Sequence, residues 1–249
     1  MSNSEKYHFK DFTLSSYRKY LIRAKSRFQF AGFNPEISPA NKIIWRHDID
    51  FSPQRAFRMA EMEKEQGILS TYFVLLHSEF YNLLESSCFK KIKMIGNLGH
   101  TIGLHFDPHF YNIDNEKDLK YWLQHEKDFL EKLLHQKIAV FSFHITNSFT
   151  ESCRKISYSG MINVYADFFR QNYSYCSDSN GYWRFRRLNE VLEDTGINSL
   201  QVLTHPELWS NTIQSPRERV MRCIQGRANY TKQWYENVLK VNKRKNIDW

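Results

Sequence analysis

Strand-like and helical patterns of hydrophobic residues alternate along this 249-residue chain. Behind cap-forming residues at 11–13, Leu14, Tyr17, Tyr20, Leu21 and Ala24 recur at helical spacing, which predicts a helix to about residue 27. Lys42 to Trp45 is a short apolar run. Ser52-Pro53 then opens a helix that Gly67 ends. Ser70 to Leu76 is β-branched and aromatic, residues 86–98 have helical spacing, and Thr101 to Phe106 reads as a strand. Asn115 to Leu134 sets Leu119, Trp122, Leu123, Phe129, Leu130 and Leu133 on one helical face. Ile138 to Phe143 is a further strand, and 162–165, 173–176 and 199–203 have the same character. Strands alternating with helices predict an α/β fold with a mostly parallel sheet. Roughly seven strands in one domain predict a closed or nearly closed barrel, with its chemistry where strands give way to loops.

Polar residues cluster at those strand ends. Arg46-His47-Asp48-Ile49-Asp50 follows the first strand, and His105-Phe106-Asp107-Pro108-His109 closes the third. His144 follows the fourth, and His205 follows the last. A carboxylate with a histidine pair is a recurring ligand set for a catalytic divalent metal. Such a metal lowers the pKa of water from about 15.7 toward about 7, so a second carboxylate becomes an adequate base. By itself the Asp48/Asp50 pair is equally a cap or turn former, but Ser52-Pro53 already serves that end. Pro108 keeps His105 and His109 from sharing a continuous helix. His100, before the third strand, reads as structural. A histidine such as His205 can act as a general acid, because its ordinary pKa near 6.5 allows both protonation states at neutral pH.

Composition narrows the class without choosing the reaction. With 41% hydrophobic and 25% charged residues the chain is ordinary for a globular protein. No run approaches the roughly 18 apolar residues of a membrane span, and the polar N-terminus lacks a signal-peptide core. A cytoplasmic location is expected. Cys88, Cys153, Cys176 and Cys223 are scattered, with no metal-binding or disulfide spacing. The net charge is +8, and residues 213–249 carry nine Lys or Arg against three Asp or Glu. This segment predicts a basic helical extension to a domain spanning 1–212. It could be a solvated helix, or it could meet phosphate, anionic lipid or nucleic acid. The rest of the chain is nearly neutral, so no nucleic-acid partner is expected.

Taken together, residues 10–210 resemble the polysaccharide deacetylase superfamily, also called NodB-homology enzymes or carbohydrate esterase family four. Gly99-His100-Thr101-Ile102-Gly103 resembles that family's lead-in to its metal pair, which falls on His105 and His109, with Phe106 in place of a Ser/Thr. The resemblance implies a distorted (β/α) barrel, Asp48 as base, Asp50 as third metal ligand and His205, two residues after Leu203, as acid. It also implies one divalent cation, zinc first, with cobalt, nickel or iron(II) as alternatives. The substrate would be an N-acyl amino sugar, free or carried on a nucleotide or lipid, in surface-polysaccharide or glycan-precursor synthesis. Contact with a membrane surface would fall to the basic extension. The Arg-His-Asp-x-Asp opening, with Ser142-Phe143-His144, Asp178, Trp183, Arg184 and His205-Pro206-Glu207, is similar to one subgroup. The family's Arg-x-Pro-x-Gly loop is missing after the fourth strand, where Phe141 to Thr146 stands instead. Arg46 or Arg184 is therefore expected to pair with Asp48, and His144 to face substrate. Asp178 would orient His205, and Trp183 would line the pocket. Without efficient chemistry, the same barrel would serve as a sugar- or nucleotide-sugar-binding protein.

Overall fold

The computed structural model describes residues 1–247. Among these residues nine strands form one sheet: β1 (Gln29–Ala31), β2 (Lys42–Ile49), β3 (Thr71–Leu75), β4 (Thr101–Phe106), β5 (Val140–Phe143), β6 (Ser157–Tyr158), β7 (Met161–Asn163), β8 (Ser174–Ser177) and β9 (Leu200–Thr204). Their order is β6-β7-β5-β4-β3-β2-β9-β8, with β1 beside the start of β2, and every pairing is parallel except β6 with β7. The expected seven strands are all present. The two additional ones, β1 and β6, have three and two residues, too short to leave a period-2 signature.

The sheet curls into an incomplete barrel. Ile44 of β2, Phe73 of β3 and Val140 of β5 meet Val164, Ala166, Phe169 and Tyr173 in one inner core. The last three of these flank or belong to helix α7, which links β7 to β8 along the chain. Gly103 sits where β4 passes closest to this core: a Cβ there would lie 2.6 Å from the Phe73 ring and 3.0 Å from the Val140 carbonyl.

The helices are α1 (Asn3–Lys6), α2 (Leu14–Arg27), α3 (Pro53–Glu65), α4 (Ser86–Asn97), α5 (Glu116–Leu134), α6 (Ser148–Ser152), α7 (Asp167–Asn172), α8 (Leu188–Glu193) and α9 (Pro216–Val241). Thr13, Ser52 and Asn115 cap α2, α3 and α5 by accepting from backbone N–H groups of the first turn. The outer faces of the sheet are covered in two halves. Helices α3, α4 and α5 pack on β3, β4 and β5, while α2 and α8 surround Trp45, Val202 and Trp209. On α5, Phe129 departs from its expected place in the apolar face and is 43% exposed. Glu126 takes the buried position instead, because His77 meets its carboxylate at 2.9 Å.

Strand β2 runs four residues beyond its apolar start, through Arg46, His47 and Asp48. Period-2 alternation sends Arg46 and Asp48 inward and His47 outward. Each is buried, because each has a partner. His47 bonds Thr204 at 2.7 Å and Glu63 of α3 at 2.7 Å. Tyr72 donates to Glu63 at 2.8 Å, Tyr17 also donates to it, and the His100 ring lies 3.7 Å away. His100 is structural, as expected: its Nδ1 accepts from the Ser70 N–H and its Nε2 meets the Ala60 carbonyl.

This buried knot gives a pH-dependent stability. Burial alone would raise the Glu63 carboxyl, but the His47 ring beside it and the hydrogen bonds hold it below the usual glutamate range. The resulting stabilisation is complete above the unfolded-state glutamate pKa. It is lost as pH falls through the depressed folded value. Glu63→Gln is expected to cost about 3 kcal/mol at pH 7, and less at pH 3, as read from urea midpoints. A variant with wild-type stability at pH 7 would contradict this account.

Candidate metal centre and catalytic cleft

Side chains from the C-terminal ends of β2, β4, β5 and β9 converge at the mouth of the barrel. His105, the fifth residue of β4, points inward and is buried. Its Nδ1 lies 2.7 Å from Ser142 Oγ on β5, which leaves Nε2 facing the mouth. That Nε2 is 3.2 Å from Asp50 Oδ1 and 3.3 Å from Nδ1 of His144. His144 Nδ1 is in turn 3.6 Å from Asp50 Oδ1. Asp50, His105 and His144 thus offer one oxygen and two nitrogens, all within 4.8 Å of one another.

The donor set fits a divalent cation. Two imidazole nitrogens and a carboxylate with space alongside are a composition used by catalytic zinc and related ions. Asp50 Oδ1 and Asp48 Oδ1 are both buried without a hydrogen-bond partner, an expensive state that a cation relieves. Burial alone would raise the Asp50 carboxyl. The His105 and His144 nitrogens beside it, with the charge of His205, instead hold it well below the usual carboxylate range.

His109 lies outside this group. It follows Pro108 on an exposed turn whose first residue, Asp107, accepts from the His109 N–H at 2.9 Å. The His109 ring meets the Ile145 carbonyl at 2.9 Å and pins the turn to the loop after β5. The pair expected from β4 alone is therefore split: the second imidazole beside Asp50 comes from His144, which had been expected to face substrate. Four residues of separation mean little across a strand end and a proline turn. Parallel pairing sets β5 directly beside β4, with Phe106 opposite Phe143, and so carries His144 to the mouth.

Two buried pairs flank the centre. Arg46 Nη2 donates to Asp48 Oδ2 at 3.2 Å, and its guanidinium lies over the Tyr165 ring at 5.3 Å. Arg46 thus supplies the partner expected for Asp48. Arg184 is exposed. On the other side, Asp178 accepts from His205 Nδ1 at 2.7 Å, from the His205 backbone N–H at 3.0 Å and from Trp209 Nε1 at 2.9 Å. Burial alone would lower the His205 pKa, but Asp178 and the nearby Asp50 carboxylate push it up to about 10. His205 Nε2 faces Asp50 Oδ2 at 3.7 Å. Trp183, expected in the pocket, instead stacks on Phe12 and donates to Asp11 at 3.1 Å. The indole at this site belongs to Trp209.

Around the centre opens a cleft of about 960 Å³. Asp48, Asp50, His105, His144, His205 and Leu203 line it, together with Phe51, Phe80, Phe110, Tyr165 and Tyr175. Glu207 lines it too, with Oε2 buried and unpartnered; burial and the Asp50 charge push its carboxyl well above the usual range. Sequence reasoning left Ser142, Trp209 and Glu207 without site roles. Ser142 was accessible through its place on β5 two residues before His144, and Glu207 through its place two residues past His205.

The sequence matches no family model and no curated protein. Among solved structures, the fold is similar to a chitin deacetylase from the fungal pathogen Colletotrichum lindemuthianum, with a TM-score of 0.45, 17% identity and coverage of 77% of this chain and 85% of that one. It is similar to a peptidoglycan deacetylase from Bacillus subtilis at 0.45 and 13%, covering 84% and 99%. It is also similar to a CE4 family pseudoenzyme from Bacillus anthracis at 0.42 and 14%, covering 78% of this chain and 63% of that one. The chain thus spans less than two thirds of the pseudoenzyme's length. All these scores lie below 0.5, so no residue role or activity follows from them.

Proposed function

We propose that this protein is a metal-dependent amide hydrolase that removes an acetyl or formyl group from an amino sugar. One observation carries the reading: a cation-binding donor set, a candidate base and a candidate acid converge on a single cleft. Asp50, His105 and His144 would hold the cation, with zinc the first candidate. A divalent cation there would acidify water and polarise the acyl oxygen.

The protein's own residues divide the remaining work. Asp48 is held by Arg46, lines the cleft and has its Oδ1 unpartnered, so it takes a proton from the attacking water. The water oxygen bonds to the acyl carbon, and the C–N bond then breaks. His205 is protonated at neutral pH and fixed by Asp178, so it delivers a proton to the departing amine. The products are a carboxylate and a free amino sugar. Aromatic rings along the cleft suit the apolar faces of a sugar ring.

The alternative of a sugar-binding barrel with weak chemistry rests on the missing Arg-x-Pro-x-Gly loop and its arginine. Arg46 beside Asp48 makes the pairing that this arginine would have made. Within the basic segment, Arg219, Arg222 and Arg227 are engaged within the chain, by the Gly181 carbonyl, the Glu207 carbonyl and Glu85, while Lys243, Arg244 and Lys245 are exposed. No described helix is long and apolar enough to cross a membrane.

The test is amine release from a panel of N-acetyl and N-formyl amino sugars, free and as nucleotide conjugates, with zinc-loaded protein. Release is expected from at least one, to stop on chelation and to return with zinc. No release from any member at full zinc occupancy would overturn the hydrolase reading.

A further inference from the structure

The sequence sets residues 213–249 apart as a basic extension, yet the first half of α9 is built into the cleft. Pro216, Arg217, Val220 and Met221 line its wall beside Ser179 and Asn180. The helix is anchored from below by Arg219, which is fully buried. Arg219 Nη1 donates to the Gly181 carbonyl at 2.9 Å, and Nη2 donates to the Phe9 carbonyl at 3.2 Å. Pro216 packs so closely on Gly181 that a Cβ at that glycine would lie 2.8 Å away.

One turn further along, Arg222 reaches the segment that carries the acid histidine. After β9 the chain makes a single 3-10 turn, Pro206–Leu208, closed by the Leu208 N–H donating to the His205 carbonyl at 2.9 Å. A turn this short leaves its later carbonyls without backbone donors of its own. Arg222 Nη2 supplies them, donating to the Glu207 carbonyl at 2.8 Å and the Trp209 carbonyl at 3.1 Å. Its Nη1 is itself held by Gln214 Oε1 at 2.7 Å. A planar guanidinium suits this task, because its donors point in fixed directions and the group stays charged.

We propose that Arg222 is a positioning residue of the catalytic site: from α9 it holds the backbone of residues 207–209, and so fixes His205 against Asp178 and the mouth of the barrel. Trp209 takes part in the same arrangement, since its indole donates to the Asp178 carboxylate that orients the His205 ring. Asp178 therefore sits between two points of one segment. Arg222 holds the carbonyl side of that segment. Helix α9 is thereby a component of the site. In its kinetic consequence this role rests on the hydrolase reading.

The test compares zinc-loaded wild type, Arg222→Met and Arg222→Lys by backbone hydrogen exchange and by steady-state kinetics. In Arg222→Met, exchange across residues 205–210 is expected to rise about tenfold or more, with residues 101–106 and bound zinc unchanged. On an accepted N-acyl sugar, kcat should fall about 10–100-fold while KM stays within about threefold, as expected of a misplaced acid. Arg222→Lys should recover part of both, since an ammonium still donates to a carbonyl. Unchanged exchange across 205–210, or faster exchange with unchanged kcat, would overturn the proposal. If the methionine variant does not fold, the lysine variant carries the same comparison with a smaller expected rise. If wild type hydrolyses none of the sugars, the hydrolase reading fails, and the exchange comparison alone decides whether Arg222 holds the segment.

Discussion

Asp50→Asn is expected to abolish zinc binding and turnover together. The asparagine keeps the size and the position at the end of β2, but it withdraws the anionic oxygen that both imidazoles face at 3.2 and 3.6 Å. Ligand loss should weaken the metal by at least about a hundredfold, more than is usual for an outer-shell change. A thermal melt provides the direct measurement. Wild type should gain stability on adding zinc, by about 2.7 kcal/mol at a hundredfold excess over Kd, and the variant should gain almost nothing at the same concentration. His144→Ala should behave like Asp50→Asn. His109→Ala should keep the zinc-dependent shift, because its ring bonds the Ile145 carbonyl outside the group. A zinc shift that survives Asp50→Asn, or one that disappears only in His109→Ala, would sink the ligand set proposed for this site.

The second large effect is expected at Asp178. Its fully buried carboxylate accepts from three N–H groups, two of them on His205 and one on Trp209. An asparagine must turn one NH2 toward a donor or leave a buried group unpaired, and it cannot stabilise the imidazolium. Replacing the orienting carboxylate of a catalytic histidine by an amide costs up to about 10⁴ in kcat in the best-studied hydrolase triad. A fall of about 10²–10⁴ is expected here for Asp178→Asn, with zinc content unchanged. The His205 imidazole, now pushed up to about 10 by its carboxylate neighbours, should titrate at lower pH in the variant. Imidazole proton resonances would follow this shift. Near-wild-type kcat with full zinc occupancy would show that His205 does not depend on Asp178.

Much of this arrangement was legible before any tertiary contact was considered. Period-2 and 3.6-residue patterns placed β3, β4, β5 and β9 and helices α3, α4 and α5 to within a few residues. The pattern ended β2 too early, because Arg46, His47 and Asp48 look like a loop to any rule based on polarity. They belong to a strand because Asp48, Glu63 and Thr204 supply partners, none of which is local to the residue it serves except Asp48 to Arg46. The same reasoning explains Glu126, a charge on the buried face of α5 that only His77, 49 residues away, makes tolerable.

At the site the division is equally physical. The sequence by itself determined which residues could do chemistry, since histidines and aspartates at successive strand ends must meet at one mouth if the sheet is parallel. It also determined Asp50, His105 and His205 as neighbours of that mouth. Only the tertiary structure decided that His144 and not His109 stands beside them, that Arg46 is the partner of Asp48, and that Trp209 and not Trp183 meets Asp178. Spacing along a chain fixes neighbours only within a regular element, and each of these choices lies across a turn or between strands. There, sheet register and side-chain direction decide which groups meet. Helix α9 is the extreme case: its composition spelled a basic extension, either solvated or meeting an anionic partner, while the carbonyls it satisfies belong to a turn whose open ends no sequence pattern displays.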